Sequence, residues 1–267
     1  MNAKGERSPM VELSVVIPTI AENEQDVEAV QHLRQCDYDD YEVIIRRDTG
    51  ASKARNEGIK RADAEKIVFL DDDSMPREGY LEAASEALDA HEAVAGRVFQ
   101  PDDSPFKYKD LPWPDGAPFA YRDLPWYDQG ETQKPTKWLP GCNMAMRKSL
   151  LEEVGGFEER LHHGHEETML AERIRRDHTI YYHPEMVVDH SFADSILEYW
   201  KKSYRHGKAD VQRWNINETP QSKRLIQGFL FDTVNRSVPK LMFWIAVESI
   251  HHLFRFAGQV DALSNDE

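Results

Sequence analysis

The segment Lys66–Asp73, KIVFLDDD, decides the fold, because a short apolar run ends there in three consecutive aspartates. A continuous apolar run of this length is typical of a strand that is buried on both faces. Further strand patterns lie on either side of it, and helical patterns separate them. Strands are predicted near 11–19, 41–46, 66–70 and 94–99, with two short ones near 179–182 and 186–190, and helices near 24–35, 52–62 and 81–90. This alternation predicts an α/β fold with a mainly parallel, Rossmann-like sheet flanked by helices.

The composition excludes several classes of protein. The 267 residues include 48 acidic and 33 basic ones, a formal net charge of -15, which repels phosphates and argues against nucleic-acid binding. The cysteines, Cys36 and Cys142, are too few for a disulfide framework or a cysteine-rich zinc site. The chain opens without a signal-peptide pattern, and its longest apolar run, Leu241–Val247, is too short to span a bilayer. We therefore expect a soluble, cytoplasmic protein. The acid surplus is also typical of proteins that work in high salt, so a halophilic source is an open alternative.

The three aspartates form the first candidate site. Carboxylates this close raise one another's pKa unless a cation neutralises them, and their oxygens suit Mg2+ or Mn2+, which can clamp a diphosphate. Asp48 follows the preceding strand and so falls at the same edge of a parallel sheet, where ligands bind. Lys53 and Arg55 lie just beyond it, at the start of a predicted helix that can receive phosphate oxygens. The alternatives are an acidic turn and basic residues that are simply solvated.

Six segments of the chain, from about Val11 to His190, resemble family-2 glycosyltransferases of the GT-A fold, in the order and at the approximate spacing of that family. Each segment is of modest specificity, and the six in order make a strong signal. They are Val15–Thr19 (VVIPT), Ala54–Ile59 (ARNEGI), Phe69–Asp73 (FLDDD), Leu139–Ala145 (LPGCNMA), Val154–Glu159 (VGGFEE) and Gly164–Arg173 (GHEETMLAER).

The resemblance implies a binding site for a nucleotide-diphospho-sugar donor and a Mn2+ or Mg2+ ion. Asp71 and Asp73 match the outer acids of the family's Asp-x-Asp motif, which contacts ribose and holds the metal, and His190 matches a histidine that often completes the metal shell. A histidine that is merely hydrogen-bonded at a strand end is the alternative for His190. The residues implied in donor binding are Pro18, Thr19, Glu22, Asp48, Arg55, Asp71, Asp72, Gly141 and Asn143.

The pair Glu166 and Glu167 matches the family's Glu-Asp pair, whose second member is the usual catalytic base. Here the second member is Glu, one methylene longer, which moves the carboxylate by about an ångström or more. The implied reaction is an inverting transfer of the sugar to an acceptor hydroxyl on a glycan or a lipid-linked molecule. Glu167 would accept the proton, and the metal and Arg55 would stabilise the departing diphosphate.

Two other functions stay open. Because Glu replaces Asp at the base position, the chain is alternatively a nucleotide-sugar-binding protein without catalytic activity. The histidines of Leu161–Glu167 (LHHGHEE) suit zinc, so a metal-dependent hydrolase is the less favoured alternative, since His-Glu-x-x-His spacing is absent. Three tryptophans in the proline-rich stretch 101–140, Trp113, Trp126 and Trp138, either stack on acceptor sugars or anchor a loop.

The predicted organisation is a GT-A domain at 11–195, with a nucleotide-binding half at 11–100 and an acceptor half at 101–195, followed by a helical extension at 196–267. Ser237–Gly258 has the pattern of an amphipathic helix with a broad apolar face. Such a helix can lie in a membrane interface, which would place the protein at the inner face of the cell membrane. Packing on its own domain or on a second subunit is the alternative, which the net negative charge favours.

Overall fold

A computed structural model describes residues 11–102, 104, 128–162, 164–191, 193–219 and 242–264, with side chains of the last segment from residue 250 onward. Trp113, Trp126 and His163 lie outside the described residues, as does the first part of the predicted amphipathic helix. No described helix is both long enough and apolar enough to cross a membrane.

The described residues form one eight-stranded sheet. Its strands are β1 (Leu13–Pro18), β2 (Tyr41–Arg46), β3 (Lys66–Leu70), β4 (Met75–Pro76), β5 (Ala93–Phe99), β6 (Lys134–Thr136), β7 (Asn143–Arg147) and β8 (Ile180–Asp189). Their order is β2-β1-β3-β7-β5-β8-β4, and β6 also pairs with β8. Strands β1, β2, β3, β5 and β8 run in one direction and β4, β6 and β7 run in the other, which confirms the mainly parallel sheet.

Helices follow most of the strands, as the alternating pattern predicts. A 3-10 turn, Glu24–Asp26, precedes the first α-helix, so the helix predicted near 24–35 is shorter and is divided at Val27, whose backbone is extended. The α-helices are α1 (Glu28–Leu33), α2 (Ala51–Arg61), α3 (Tyr80–Ala90), α4 (Lys148–Glu153), α5 (Glu166–Ile174), α6 (Ile196–Ile216) and α7 (Met242–Ser264).

The central strands are apolar throughout because both faces of the sheet are covered. Alternate side chains of a strand point to opposite faces, and those of β3 divide accordingly between two buried clusters. Val68 and Leu70 join a cluster with α1 and α3, whereas Ile67 and Phe69 join one with α4 and α5. Continuous burial of this kind explains why the KIVFL run lacks polar alternation.

One long strand replaces the two short ones that the sequence predicts near 179–182 and 186–190. Strand β8 runs without a break from Ile180 to Asp189, and its pairing with β5 shifts between Gly96 and Arg97, so that residues 184–186 of β8 are extra. Pro184 lies in this bulge, where its missing N–H removes no ladder hydrogen bond. The apparent strand break in the sequence is therefore a bulge within one strand.

The chain divides into two compact units. The first comprises Met1–Phe99, Trp126–Glu159 and Glu167–His190, and it contains the sheet. The second comprises Gln100–Pro125, Arg160–Glu166 and Ser191–Glu267, in which α6 and α7 pack against each other.

Candidate active site

The candidate site lies where β1 and β3, which are parallel neighbours, end side by side. Thr19 follows β1, and its hydroxyl donates a hydrogen bond to Asp72 Oδ2 at 2.5 Å. Burial raises the pKa of Asp72, and the charges of Asp73 and Asp71 add to this effect, although the bond from Thr19 opposes it. The edge of a parallel sheet thus brings together the loops that the sequence assigns to donor binding.

Asp71, Asp73 and His190 converge on one point, and their ligand atoms lie within 4.8 Å of one another. His190 Nε2 lies 3.1 Å from Asp73 Oδ1 and 4.0 Å from Asp71 Oδ2. The backbone fixes this arrangement, because β4 pairs with the end of β8 and the His190 N–H donates to the Phe99 carbonyl. The turn of aspartates therefore runs beside the strand end that carries the histidine.

The donor set of this cluster fits a divalent cation. Two carboxylate oxygens and one imidazole nitrogen suit Mn2+, and the carboxylates also suit Mg2+. Burial lowers the pKa of His190, but contacts with Cys142 and Asp73 outweigh it and raise the pKa well above its usual value. A metal ion would take the place of the proton that the imidazole then carries.

Arg55 links Asp71 to the rest of the site. Its guanidinium donates to Asp71 Oδ1 at 2.8 Å and to the Gly141 carbonyl at 3.4 Å, and only 3% of its side chain is exposed. The guanidinium carbon also lies 5.4 Å from the centre of the Phe157 ring. These contacts hold the buried Arg55 cation in one position beside the cluster of Asp71, Asp73 and His190.

Glu167 lies close to Gly141, the residue whose carbonyl Arg55 contacts. A Cβ atom added at Gly141 would lie 3.6 Å from a guanidinium nitrogen of Arg55 and 3.9 Å from Glu167 Oε2. Glu167 is half-buried, near the start of α5, and its carboxylate accepts a hydrogen bond from the Thr168 hydroxyl at 3.3 Å. The structure thus brings Gly141, Arg55 and Glu167 together. Glu166, the other candidate, is the first residue of α5 and belongs to the second unit.

The remaining donor-binding candidates lie in different settings. Asp48 follows β2 and pairs with Arg46 at 2.5 Å, so its carboxylate already has a cation. Pro18 ends β1, and Glu22 is exposed a few residues further on. Asn143 is fully buried at the start of β7, where its side chain bonds to Tyr80 and to two backbone carbonyls. In this structure the Asn143 side chain therefore supports the sheet.

Sequence reasoning did not assign a role to two residues of the site. Cys142 is buried and lies beside the His190 imidazole, and Phe157 packs under Arg55. Both belong to segments that carry the family resemblance, but only the fold places them against a charged partner.

The histidines that the structure describes in the LHHGHEE segment do not form the metal site that the hydrolase alternative requires. Within the described part of the chain, Asp71, Asp73 and His190 are the group that can hold a metal, and His165 contacts Asp210 instead.

Comparisons with known proteins agree with this arrangement. The model of glycosyl transferase family 2 matches residues 23–155, about half of the chain. Two pre-mycofactocin glycosyltransferases, from Mycobacterium tuberculosis strains CDC 1551 / Oshkosh and ATCC 25618 / H37Rv, are each 24% identical over 174 residues, which make up 60% of this chain and 34% of the relative. The chain thus spans about a third of the length of these relatives.

Two solved structures share the fold. The mannosyltransferase PcManGT from Pyrobaculum calidifontis, in complex with GDP-Man and Mn2+, aligns with a TM-score of 0.63 at 15% identity, over 96% of this chain and 88% of that chain. TarS 1-349 from S. aureus aligns with a TM-score of 0.52 at 13% identity, over 94% and 88%. The family match spans the elements that carry Arg55 and the aspartate turn, and we conclude that the chain belongs to glycosyl transferase family 2 and has the GT-A fold.

Proposed function

We propose that the protein is a metal-dependent, inverting glycosyltransferase that moves a sugar from a nucleotide-diphospho-sugar to an acceptor hydroxyl. The observation that carries this proposal is the convergence of Asp71, Asp73 and His190 at the ends of the strands, with Arg55 bonded to the first of them. The GDP-Man and Mn2+ in the PcManGT complex support the same donor class for this chain.

Three groups of residues would bind different parts of the donor. Asp71, Asp73 and His190 would hold Mn2+ or Mg2+, which when bound neutralises charge on the diphosphate. Arg55 is buried and pre-oriented, so its guanidinium meets developing phosphate charge without losing side-chain freedom. Asp72 and Thr19 form a fixed hydrogen-bonded pair at the same edge, suited to a ribose hydroxyl.

Glu167 is the proposed general base. In a single displacement, the acceptor oxygen forms a bond to the anomeric carbon while the carbon–oxygen bond to the diphosphate breaks. The bonding electron pair leaves with the nucleoside diphosphate, and the hydroxyl proton passes to the Glu167 carboxylate. The position of Glu167 supports this role, since its carboxylate and the Arg55 guanidinium both lie within 4 Å of where a Cβ atom at Gly141 would be, so base and leaving-group cation are close to one small residue.

The test compares the parent protein with Asp73→Asn, Glu167→Gln and the control Asp39→Asn, which makes the same charge change at an exposed site remote from the cluster in sequence. GDP and UDP binding is measured by calorimetry with and without Mn2+, and turnover is measured with GDP-mannose and UDP-glucose. Asp73→Asn should abolish the Mn2+-dependent part of nucleotide binding. Glu167→Gln should keep that binding and lose about a hundredfold or more in turnover.

Each variant has an outcome that contradicts one part of the proposal. Unchanged Mn2+-dependent affinity in Asp73→Asn would refute the metal site. Retained turnover in Glu167→Gln would move the base to another group, with Glu166 as the next candidate. A parent protein that binds nucleotide with Mn2+ but turns over no donor would establish the alternative, a nucleotide-sugar-binding protein without catalytic activity.

A further inference from the structure

The second unit contains a buried carboxylate that the proposed reaction does not use. Asp210 lies on α6 with only 8% of its side chain exposed. Arg255 of α7 binds it through two hydrogen bonds of 2.8 and 2.9 Å, and Gln259, one turn further on, donates a third at 2.8 Å. The fourth contact comes from outside the helix pair, because His165 Nε2 lies 3.0 Å from Asp210 Oδ1.

Burying a charged carboxylate costs free energy unless neighbouring groups neutralise it and form hydrogen bonds with it. Burial alone raises the pKa of Asp210, but His165 and Arg255 outweigh it and hold the pKa well below its usual range. The carboxylate is therefore ionised, and an ionised group in this setting imposes a fixed geometry on the groups that satisfy it. His165 is one of those groups, and it is the one that lies on a loop.

The loop that carries His165 is held by α6 at further points. The His162 N–H donates to Gln212 Oε1 at 3.2 Å, and a Cβ atom at Gly164 would lie 3.3 Å from the ring of His206. His206 and Asp210 are four residues apart on α6 and so face the loop from the same side. Burial lowers the pKa of His206 to about 3, so this ring packs under the loop as a neutral group.

The backbone of the loop is strained at the point of contact. His165 has a φ of 68°, and Gly164 before it has a φ of 123°. A left-handed conformation at a residue other than Gly is strained and persists when the surroundings enforce it. The next residue, Glu166, begins α5, and Glu167 follows in its first turn. The strained residue therefore determines how the chain enters the helix that carries the proposed base.

We propose that Asp210 is a positioning residue: by holding His165, it fixes the start of α5 and thereby the direction of the Glu167 carboxylate. This inference rests on the proposed function, because it assumes that Glu167 is the base. It gives the helical extension a part in catalysis although none of its residues needs to touch the substrate. A shift of about 1 Å in a catalytic group lowers the rate up to a hundredfold, so the contact has a measurable consequence.

The experiment uses the full chain and compares Asp210→Asn and His165→Gly with the control Asp261→Asn. Asp210→Asn keeps the side-chain volume and removes the charge. His165→Gly removes the imidazole together with the Cβ atom and permits the same positive φ, so a change in this variant does not come from a new backbone clash. Asp261 is the matched control, since it joins the same two helices through Lys208 at 2.6 Å and Tyr204 at 2.7 Å.

Two measurements decide the outcome. Hydrogen exchange of the amides of residues 164–168 should be at least tenfold faster in both test variants and unchanged in Asp261→Asn. With GDP-mannose or UDP-glucose and Mn2+, kcat should fall about 10- to 100-fold while KM stays within twofold, because donor binding does not involve the loop. A purely structural role would instead lower stability in Asp210→Asn and Asp261→Asn alike and leave this difference between kcat and KM absent.

The inference is refuted if amide exchange in Asp210→Asn and His165→Gly stays within twofold of the parent, or if exchange accelerates while kcat is unchanged. Failure of the proposed function has a different signature. If Glu167→Gln keeps full turnover, the base assignment fails, and the exchange measurement then decides by itself whether Asp210 holds this segment.

Discussion

Asn143 offers a sharp test of how the sheet is held together beneath the site. Its side chain is fully buried and makes three hydrogen bonds, since Oδ1 accepts from the Tyr80 hydroxyl at 2.9 Å and Nδ2 donates to the Arg97 and Met186 carbonyls at 2.8 Å each. Arg97 is the first residue of β5 after the point where the register with β8 shifts, and Met186 lies in the bulge of β8. The amide thus satisfies carbonyls at a break in the ladder, where backbone pairing is interrupted.

The expected cost follows from these bonds. Asn143→Leu keeps the number and branching of the side-chain heavy atoms but leaves a buried hydroxyl and two carbonyls without this partner, at about 1–3 kcal/mol each. The sum is roughly 3–9 kcal/mol, against a total stability of about 5–15 kcal/mol for a typical native protein. Tyr80→Phe is the matched control, since it removes one of the three bonds and should cost about 1–2 kcal/mol.

Urea unfolding followed by circular dichroism measures both variants, and the double variant completes a thermodynamic cycle. The effects should be less than additive, because Tyr80 and Asn143 share one bond. A loss below 1 kcal/mol in Asn143→Leu would refute the reasoning. In that case the amide would be free to serve the role that the family resemblance implies, contact with the donor, and the variant would instead raise the KM for the donor.

Three further predictions concern other parts of the molecule. The hydrogen bonds from His178 to Glu153 and Glu92 raise the pKa of His178, so its stabilising effect is fully present below about pH 6.5 and disappears as the pH rises through the folded-state pKa. His178→Asn should therefore destabilise the protein by about 0.5–1 kcal/mol at pH 6 and by nothing measurable at pH 9, as urea titrations at the two pH values would show, and an equal loss at both would contradict the ion pair. A Cβ atom at Gly207 would lie 1.9 Å from the Arg255 carbonyl oxygen, so Gly207→Ala should separate α6 from α7 and cost roughly 1–3 kcal/mol; a melting temperature equal to the parent's would contradict this close crossing. Leu253 is 65% exposed on α7, and if this face meets a lipid surface, Leu253→Asp should reduce liposome flotation of the full chain severalfold, whereas equal flotation of parent and variant would exclude this face as the anchor.

The sequence predicts those strands and helices whose hydrophobic pattern is complete within their own short stretch of residues. Strands β1, β2 and β3 and helices α2 and α3 have the length and periodicity that their buried faces require, and they occur within a few residues of the expected positions. Strands β4 and β6 have two and three residues, too few to produce a pattern, and they exist because β8 offers an edge to each.

The residues of the site also divide into those that a local sequence pattern reveals and those that only the fold brings together. The aspartate turn was visible because three carboxylates after an apolar strand are unusual, and the family resemblance then added His190 as its partner. The partnership of His165 with Asp210 could not be predicted, because 45 positions separate them and neither belongs to a local motif. The burial of Asn143 was equally hidden, since it depends on a bulge in a strand that follows it in the chain.

The surroundings of the candidate site are strongly acidic. Asp71, Asp72 and Asp73 are consecutive, Glu167 lies close to Gly141, and the whole chain carries a net charge of -15. A nucleoside diphosphate is itself an anion, so the field of the protein opposes its approach. Arg55 is already bonded to Asp71 and offsets only part of this charge. On the proposed function, donor affinity is expected to depend strongly on the divalent ion, and the ion and the donor should each increase the affinity of the protein for the other by the same factor.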